Sequence, residues 1–174
     1  MNSLHYRHVG YVRDLDQSPV AGEGERTLLQ TTLTLYDEAL NGHSYETERN
    51  PYPMTRARQQ EIITQYLPES ELIVATPASA PRHALGFVTF HTVALERSTA
   101  LFIDGAAVHE REQRKSIGTT LFERTEEIAR ARSIGAMMLR SVAHSTAFYE
   151  KIGFIRESNH HQPVFTKILD PIEP

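Results

Sequence analysis

The most informative stretch of this sequence is Ala106-Ala-Val-His-Glu-Arg-Glu-Gln-Arg-Lys-Ser-Ile-Gly-Thr-Thr-Leu121. It reads as the end of a buried strand, a strongly polar turn and the start of an amphipathic helix. The first amides of a helix have no partner within the helix, and the helix dipole places partial positive charge there. Arg114 and Lys115 add two full charges beside these amides, and Ser116 and Gly118 are small enough for a ligand to approach closely. The stretch therefore favours a pyrophosphate-binding turn.

A solvated basic turn capped by a serine accounts for the same residues about equally well on physical grounds. Two other nucleotide-binding interpretations are weaker. The lysine lacks the Gly-rich spacing of a P-loop, and the segment does not match the Gly-x-Gly-x-x-Gly fingerprint of dinucleotide-binding folds.

Hydrophobic spacing on either side of this stretch alternates between the periods of strands and helices. Strands are predicted over 5–12, 71–76, 84–93, 100–108, 136–142 and 163–169. Helices are predicted over 25–40, 55–66, 116–132 and 145–151, with Thr55 as an N-cap and Gly135 ending the third helix. The third helix is expected to bury Ile117, Leu121, Phe122, Ile128 and Ala129. This order indicates a mixed α/β or α+β fold, with helices on both faces of a sheet.

Composition narrows the class of protein. The 174 residues, 40% of them hydrophobic and 23% charged, fit a single soluble domain spanning 1–174. The formal net charge of −4 argues against a broad binding surface for nucleic acid or anionic membranes. The absence of cysteine excludes disulfides, thiolate metal ligands and a cysteine nucleophile. Met1–Tyr11 does not read as a signal peptide and no segment reads as a membrane span, so a cytoplasmic location is expected.

Two landmarks resemble motifs of the GNAT N-acetyltransferase superfamily. In the first, Gln113-Arg-Lys-Ser-Ile-Gly118 follows a strand ending at Val108, and it is similar to the family's acyl-CoA signature Gln/Arg-x-x-Gly-x-Gly/Ala. The second, Ala147-Phe-Tyr-Glu-Lys-Ile-Gly-Phe154, looks like the family's helix-to-strand turn. The resemblance is good from about Glu71 to Leu169, and it is poor before that, where the family varies most.

The resemblance implies a GNAT-like fold with a mostly antiparallel central sheet of six or seven strands, splayed near residue 108. It implies acceptor-side helices at about 23–66, an acyl-CoA-binding core at about 71–169, acetyl-CoA as the acyl donor, and no metal. Backbone groups of Ala106, Ala107 and Val108 are expected to pair with the pantetheine arm like an added strand. The remaining donor-binding residues implied by the resemblance are Gln113, Arg114, Lys115, Ser116, Ile117, Gly118 and Thr119.

The resemblance also implies catalytic roles. Tyr149 is expected to be the general acid, because the leaving thiolate needs a proton and a phenol can supply it. Packing beside Phe148 and Phe154 is the alternative role for this tyrosine. For the base that accepts the proton of the amine, Asp104 is the first choice and His91 the second, and the base need not be a side chain at all.

Several residues depart from the family pattern or carry no assigned role. Ser116 stands where the family usually has its first glycine, and Val142 stands where an asparagine often contacts CoA. His109, His144 and the pair His160-His161 are interpreted as surface histidines, because no spacing links them to a recognisable metal-ligand set.

The function implied is transfer of an acetyl group from acetyl-CoA to a primary amine by direct attack in a ternary complex. The acceptor is expected to be a small-molecule or peptide amine, and the net charge disfavours charged tRNA. Acidic and aromatic residues that would suit a cationic amine, or form a solvated acidic surface, are Tyr36, Asp37, Glu38, Tyr45, Glu46 and Glu48. The alternative is a catalytically idle acyl-CoA-binding sensor or assembly module. Many family members pair through edge strands, so the resemblance implies a homodimer.

Overall fold

A computed structural model describes residues 3–17, 23–41, 54–141, 145–157 and 163–169. The strands are β1 (Leu4–Tyr11), β2 (Glu71–Pro77), β3 (Gly86–Ala94), β4 (Thr99–Val108), β5 (Ala136–Arg140), β6 (Ile155–Arg156) and β7 (Val164–Ile168). The helices are α1 (Val12–Gln17), α2 (Glu23–Asn41), α3 (Arg56–Glu61), α4 (Ile117–Ala131) and α5 (Thr146–Lys151). A π-helical turn (Ile62–Tyr66) continues α3, and a short 3₁₀ turn (Glu110–Glu112) precedes α4.

The strands form one seven-stranded sheet in the order β1-β2-β3-β4-β5-β7-β6. Neighbouring strands are antiparallel except β4 and β5, which are parallel. That parallel pairing covers only Leu101–Ile103 of β4, although β4 continues to Val108. Within the described ranges, no strand pairs with residues 104–108 on the β5 side. The mostly antiparallel, splayed sheet expected from the resemblance is therefore confirmed.

Each face of the sheet carries its own apolar core. On one face, called the α4 face, α4 packs against β2–β5 and β7, with α5 beside it. On the other, called the α2 face, α2 and the π-helical turn pack against Leu72 and Phe87. Full burial of each such aliphatic or aromatic side chain contributes about 1.5–3 kcal/mol. Among the described residues, no helix is both long and apolar enough to span a membrane.

Two helix ends were predicted from the sequence, the start of α3 and the end of α4, and only the first is confirmed. Thr55 caps α3 as predicted, because its Oγ1 accepts a hydrogen bond from the Arg58 N–H at 3.2 Å. The prediction that Gly135 ends α4 is wrong. The helix ends at Ala131, and Ser133 takes the left-handed conformation with φ 55°. The Ser133 N–H donates to Arg130 O and the Ile134 N–H to Ala129 O, both at 2.9 Å, which is a Schellman motif.

Other local differences have simple physical reasons. α1 and β6 were not predicted, because six and two residues are too short to show a period. Of the five positions predicted for the buried stripe of α4, Ile128 is only half-buried, whereas Thr125 is fully buried. The Thr125 hydroxyl donates to Leu121 O at 2.9 Å, which satisfies this polar group inside the core.

A glycine in β3 sets how closely α4 approaches the sheet. A Cβ at Gly86 would lie 3.0 Å from Ala107 O and 3.2 Å from side-chain atoms of Ile117 and Leu121. The first turn of α4 therefore rests directly on the backbone of β3, which places the helix N-terminus beside the end of β4.

Gly86→Ala is expected to lower the free energy of unfolding by about 1–3 kcal/mol, because the added methyl overpacks against a backbone carbonyl that cannot move aside. Chemical denaturation would measure the loss. Gly135→Ala is the matched control, since a Cβ there meets nothing within 4 Å. Equal stabilities for the two variants would contradict this account of how α4 is seated.

Candidate active site

A β-bulge places an acidic residue at the centre of the sheet. Thr89 of β3 pairs with Gly105 of β4, but the next pair is Phe90 with Ile103, so Asp104 is an extra residue on β4. The bulge puts Asp104 and Gly105 successively on the α2 face. It lies where the pairing between β4 and β5 ends.

Asp104 joins a hydrogen-bonded cluster on the α2 face. His91 Nδ1 lies 2.9 Å from the Asp104 carboxylate, and Ser70 Oγ donates to Asp104 Oδ2 at 2.6 Å. A carboxylate only accepts hydrogen bonds, so Nδ1 carries the hydrogen and Nε2 of the neutral ring keeps its lone pair. The two residues predicted as alternative bases are thus hydrogen-bonded to each other. Ser70 was not predicted, because it is distant in sequence and belongs to no motif.

A buried tyrosine borders this cluster. Burial, with the nearby Asp104 carboxylate as the next cause, raises the pKa of Tyr36 to about 12. Tyr36 packs on Phe87, with ring centroids 5.8 Å apart, and it stays neutral at ordinary pH. It is therefore a buried, neutral wall of the site and not an anion.

Asp37 does not serve the cation-binding role considered for it. Its side chain is fully buried and accepts from Arg58 Nη2 at 2.5 Å and from Arg58 Nε at 3.2 Å. Arg58 also donates to Glu61 at 2.9 Å, so this ion-pair network ties α2 to α3. Glu38 is half-buried on α2. Of the other residues considered for acceptor binding, Tyr45, Glu46 and Glu48 lie outside the described residues.

The open edge of β4 presents alternate backbone groups. The His109 N–H donates to Leu85 O at 2.8 Å across the β3 side. Because the backbone groups of a strand alternate between its two edges, those of Ala107 also point to β3. Those of Ala106 and Val108 point to the open side, where Gln113 Nε2 already donates to Val108 O at 3.2 Å. The edge therefore offers Ala106 N–H and C=O and Val108 N–H, whereas Ala107 is turned away.

The turn before α4 has the backbone conformation of an anion-binding loop. Arg114 and Ser116 both have φ near 63°, in the left-handed region. Ser116 is followed by the right-handed first turn of α4, an alternation that converges successive N–H groups into a nest. A left-handed backbone explains why glycine is usual at this position. Lys115 is paired with Glu112 at 3.0 Å and is exposed. Ile117 is buried beneath the turn, and Thr119 is half-buried in the first turn of α4.

Gly118 serves packing between helices. A Cβ at Gly118 would lie 3.2 Å from Phe148 Cζ and 3.6 Å from Val108 Cγ2. The small residue lets α5 lie against the first turn of α4 and the end of β4. Phe148 of α5 therefore lies beside the end of β4.

Tyr149 lies on the α4 face in an aromatic cluster. Its ring contacts Phe122, Phe148, Phe154 and Phe165 at centroid distances of 5.3–6.0 Å. Burial raises the pKa of Tyr149 to about 12, so the phenol keeps its proton at neutral pH. The tyrosine and the Asp104–His91 pair thus lie on opposite faces of the sheet.

A second polar cluster, on the α4 face, holds the far end of α4. Arg132 donates to both carboxylate oxygens of Glu71 at 2.5 and 2.8 Å, and His8 Nε2 lies 2.8 Å from Glu71 Oε2. These hydrogen bonds, chiefly that from Arg132, hold the pKa of the buried Glu71 below its usual value despite desolvation. The cluster ties the C-terminal end of α4 to β1 and β2.

Among the described residues, no group of three or more His, Asp or Glu side chains could hold a metal ion. His109 Nδ1 accepts from the Arg111 N–H at 3.4 Å, which caps the 3₁₀ turn. His144, His160 and His161 lie outside the described residues, as does Val142.

The family model described as the acetyltransferase (GNAT) family matches residues 34–154. That match covers more than half of the sequence, so this chain belongs to the GNAT acetyltransferase family. Membership confirms the resemblance seen in the sequence and makes acetyl transfer the class of activity. No curated protein sequence matches the chain significantly.

Solved structures support the same fold. A PaiA N-acetyltransferase from Thermoplasma acidophilum in complex with coenzyme A has a TM-score of 0.60 and 17% identity, over 96% of this chain and 99% of that chain. An IAA acetyltransferase from Bacillus cereus has a TM-score of 0.59 and 16% identity, over 96% and 100%. The NatC complex bound to Gag peptide and CoA has a TM-score of 0.61 and 14% identity, over 97% and 99%. At these identities the likeness concerns the fold alone.

Ser116→Gly is expected to raise the free energy of unfolding by about 1 kcal/mol, because glycine adopts the left-handed backbone without strain. The serine side chain makes no capping hydrogen bond that would be lost. Thermal or chemical denaturation would measure the gain. The matched control is Ser133→Gly, which replaces a left-handed serine at the other end of α4, away from the turn that precedes the helix. Ser116→Val should lower the free energy of unfolding. A loss of stability in Ser116→Gly would show that the serine side chain is needed.

Proposed function

We propose that this protein transfers an acetyl group from acetyl-CoA to a primary amine by direct attack in a ternary complex. The observation that carries the proposal is the hydrogen-bonded Asp104–His91 pair beside the unpaired edge of β4. A donor held along that edge would have its thioester next to a histidine that can accept a proton. Family membership supports acetyl as the group transferred, and the choice of a primary amine as the acceptor is our proposal.

The donor would bind in two parts. Its pantetheine arm would pair with Ala106 and Val108, whose backbone groups point to the open edge, as an extended peptide adds to a sheet. Its pyrophosphate would occupy the nest before α4, where the amides from Arg114 to Thr119 meet the positive end of the helix dipole. The exposed Arg114 adds positive charge there, whereas the charge of Lys115 is partly neutralised by its ion pair with Glu112.

The acceptor amine would approach from the α2 face. An amine is mostly protonated at neutral pH, so it must lose a proton before it can attack the thioester carbonyl. His91 Nε2 is the proposed acceptor of that proton, directly or through a water. Asp104 would hold the ring and stabilise the imidazolium, as a carboxylate does behind a catalytic histidine. The structure thus favours a joint role for the two residues over Asp104 acting alone.

The leaving group would depart toward the α4 face. As the nitrogen–carbonyl bond forms and the carbon–sulfur bond breaks, the thiolate takes a proton from the Tyr149 hydroxyl. As the amide forms, its nitrogen loses a second proton, which returns through water to Tyr149. The proton taken up by His91 leaves to solvent, so the net products are an amide and CoA. With the base and the acid on opposite faces, the reaction would take place in the gap between β4 and β5.

Acetyl-CoA is expected to stabilise the protein against thermal unfolding, by about 2.7 kcal/mol at a hundred times its dissociation constant. The comparison is with equal concentrations of ATP or NAD, which share the nucleotide and pyrophosphate but lack the pantetheine arm. A shift with acetyl-CoA alone supports the two-part site. No shift from acetyl-CoA would remove the basis for an acetyl-CoA-dependent enzyme.

Tyr149→Phe is expected to keep acetyl-CoA binding and to lower kcat at least about a hundredfold, because only the proton donor is lost. Thiol release with a panel of primary amines measures turnover, and Tyr6→Phe controls for loss of a tyrosine hydroxyl elsewhere. Wild-type protein that binds acetyl-CoA but releases no thiol would favour the idle sensor. Full turnover in Tyr149→Phe would leave this tyrosine with its packing role only.

A further inference from the structure

We propose that Ser70 is a positioning residue, which holds the Asp104 carboxylate so that the His91 ring stays in one tautomer. The inference rests on the proposed function, because that function assigns His91 as the base. Ser70 lies in no motif of the sequence. Its role follows from contacts that the fold creates across 34 residues of chain.

Ser70 is buried, and hydrogen bonds of its backbone fix its position. It is only 2% exposed, and its Oγ donates to Asp104 Oδ2 at 2.6 Å. Its own N–H donates to Leu67 O at 3.3 Å, and its carbonyl accepts from the Val12 N–H at 2.9 Å. Because the Ser70 backbone is held at both its N–H and its C=O, the buried hydroxyl stays close to the position from which it reaches Asp104 Oδ2. The serine therefore defines where the carboxylate rests.

The position of Asp104 in the sheet makes the orientation of its carboxylate dependent on this hydrogen bond. As the extra residue of a bulge, it has no directly paired neighbour on β3 to pack its side chain. On the open side, the strand pairing with β5 has already ended at Ile103. A carboxylate at this point can turn unless a second donor holds it. If it turns, His91 Nδ1 loses its acceptor and the hydrogen can move to Nε2, which would remove the lone pair that the proposed reaction needs.

The anchor also links the base to the acceptor side of the protein. Leu67 directly follows the π-helical turn, and Val12 begins α1, and both are buried in the core of the α2 face. Tyr66, the last residue of that turn, is 46% exposed. Ser70 therefore joins the elements on which an acceptor would rest to the carboxylate that orients His91.

The first test reads the tautomer directly and requires no substrate. Long-range ¹H–¹⁵N spectra of ¹⁵N-histidine-labelled protein distinguish Nδ1–H from Nε2–H rings, and His91→Gln identifies the His91 signals. The wild-type ring is expected to be Nδ1–H when neutral. Ser70→Ala should lose much of that signal to Nε2–H, and Asp104→Asn should change it as well. An unchanged His91 ring in Ser70→Ala would overturn the proposal.

The second test is kinetic. Ser70→Ala is expected to lower kcat about tenfold, as for loss of a hydrogen bond to a charged group, with KM for acetyl-CoA unchanged. Ser70→Thr keeps the hydroxyl and should restore most of the rate. In an Asp104→Asn background, Ser70→Ala should cause little further loss, because the two residues act through one contact.

The control is Thr32→Val, which removes a buried hydroxyl whose hydrogen bond, at 2.8 Å, goes to Leu28 O and not to Asp104. An equal loss of kcat in this control, or a full tenfold loss in the Asp104→Asn background, would make Ser70 merely structural and overturn the proposal. If wild-type protein turns over no amine, the proposed function fails, and the tautomer of the His91 ring still decides the role of Ser70.

Discussion

The parting of β4 from β5 after Ile103 is the constraint on which the rest of this structure depends. Strand pairing is lost just where the β-bulge inserts Asp104, so an unpaired backbone edge and a carboxylate arise at the same point of the sheet. Unsatisfied backbone groups at the centre of a protein are costly unless something pairs with them. The opening is therefore where an extended ligand would gain most, and Asp104 lies directly beside it.

Ser70 and Glu71 are adjacent in sequence, and their side chains make contacts on opposite faces of the sheet. Ser70 contacts Asp104 on the α2 face, while Glu71 holds Arg132, at the C-terminal end of α4, on the other. The opposite end of α4 rests on Gly86 of β3, so the helix is located at both ends by the central strands. A pyrophosphate at the N-terminus of α4 and a proton acceptor on β3 would thus share one rigid frame, which is what precise alignment of two substrates requires.

Much of this architecture could be predicted, because its signals are local. The amphipathic period of α4, the cap at Thr55 and the turn formers between strands depend on residues close in sequence, and they act in the same way wherever they occur. Short elements such as α1 and β6 carry too few residues for a period to emerge. The sequence favours Gly135 over Ser133 as the residue that ends α4, because glycine adopts the left-handed conformation at least cost. Here the hydrogen bonds of the Schellman motif hold a serine in it instead.

The sequence by itself determined the class of the protein: the polar turn before α4, with its small residues and basic pair, and the aromatic turn at residues 147–154 together indicated an acetyltransferase. Only the tertiary structure decided how the site is arranged. It joined Asp104 to His91, placed Ser70 behind them, turned Ala107 away from the open edge and committed Asp37 to Arg58. The physical reason is that a bulge, a strand edge and a buried ion pair are relations between distant segments. Such relations are governed by register and packing, and they leave no periodic trace along the chain.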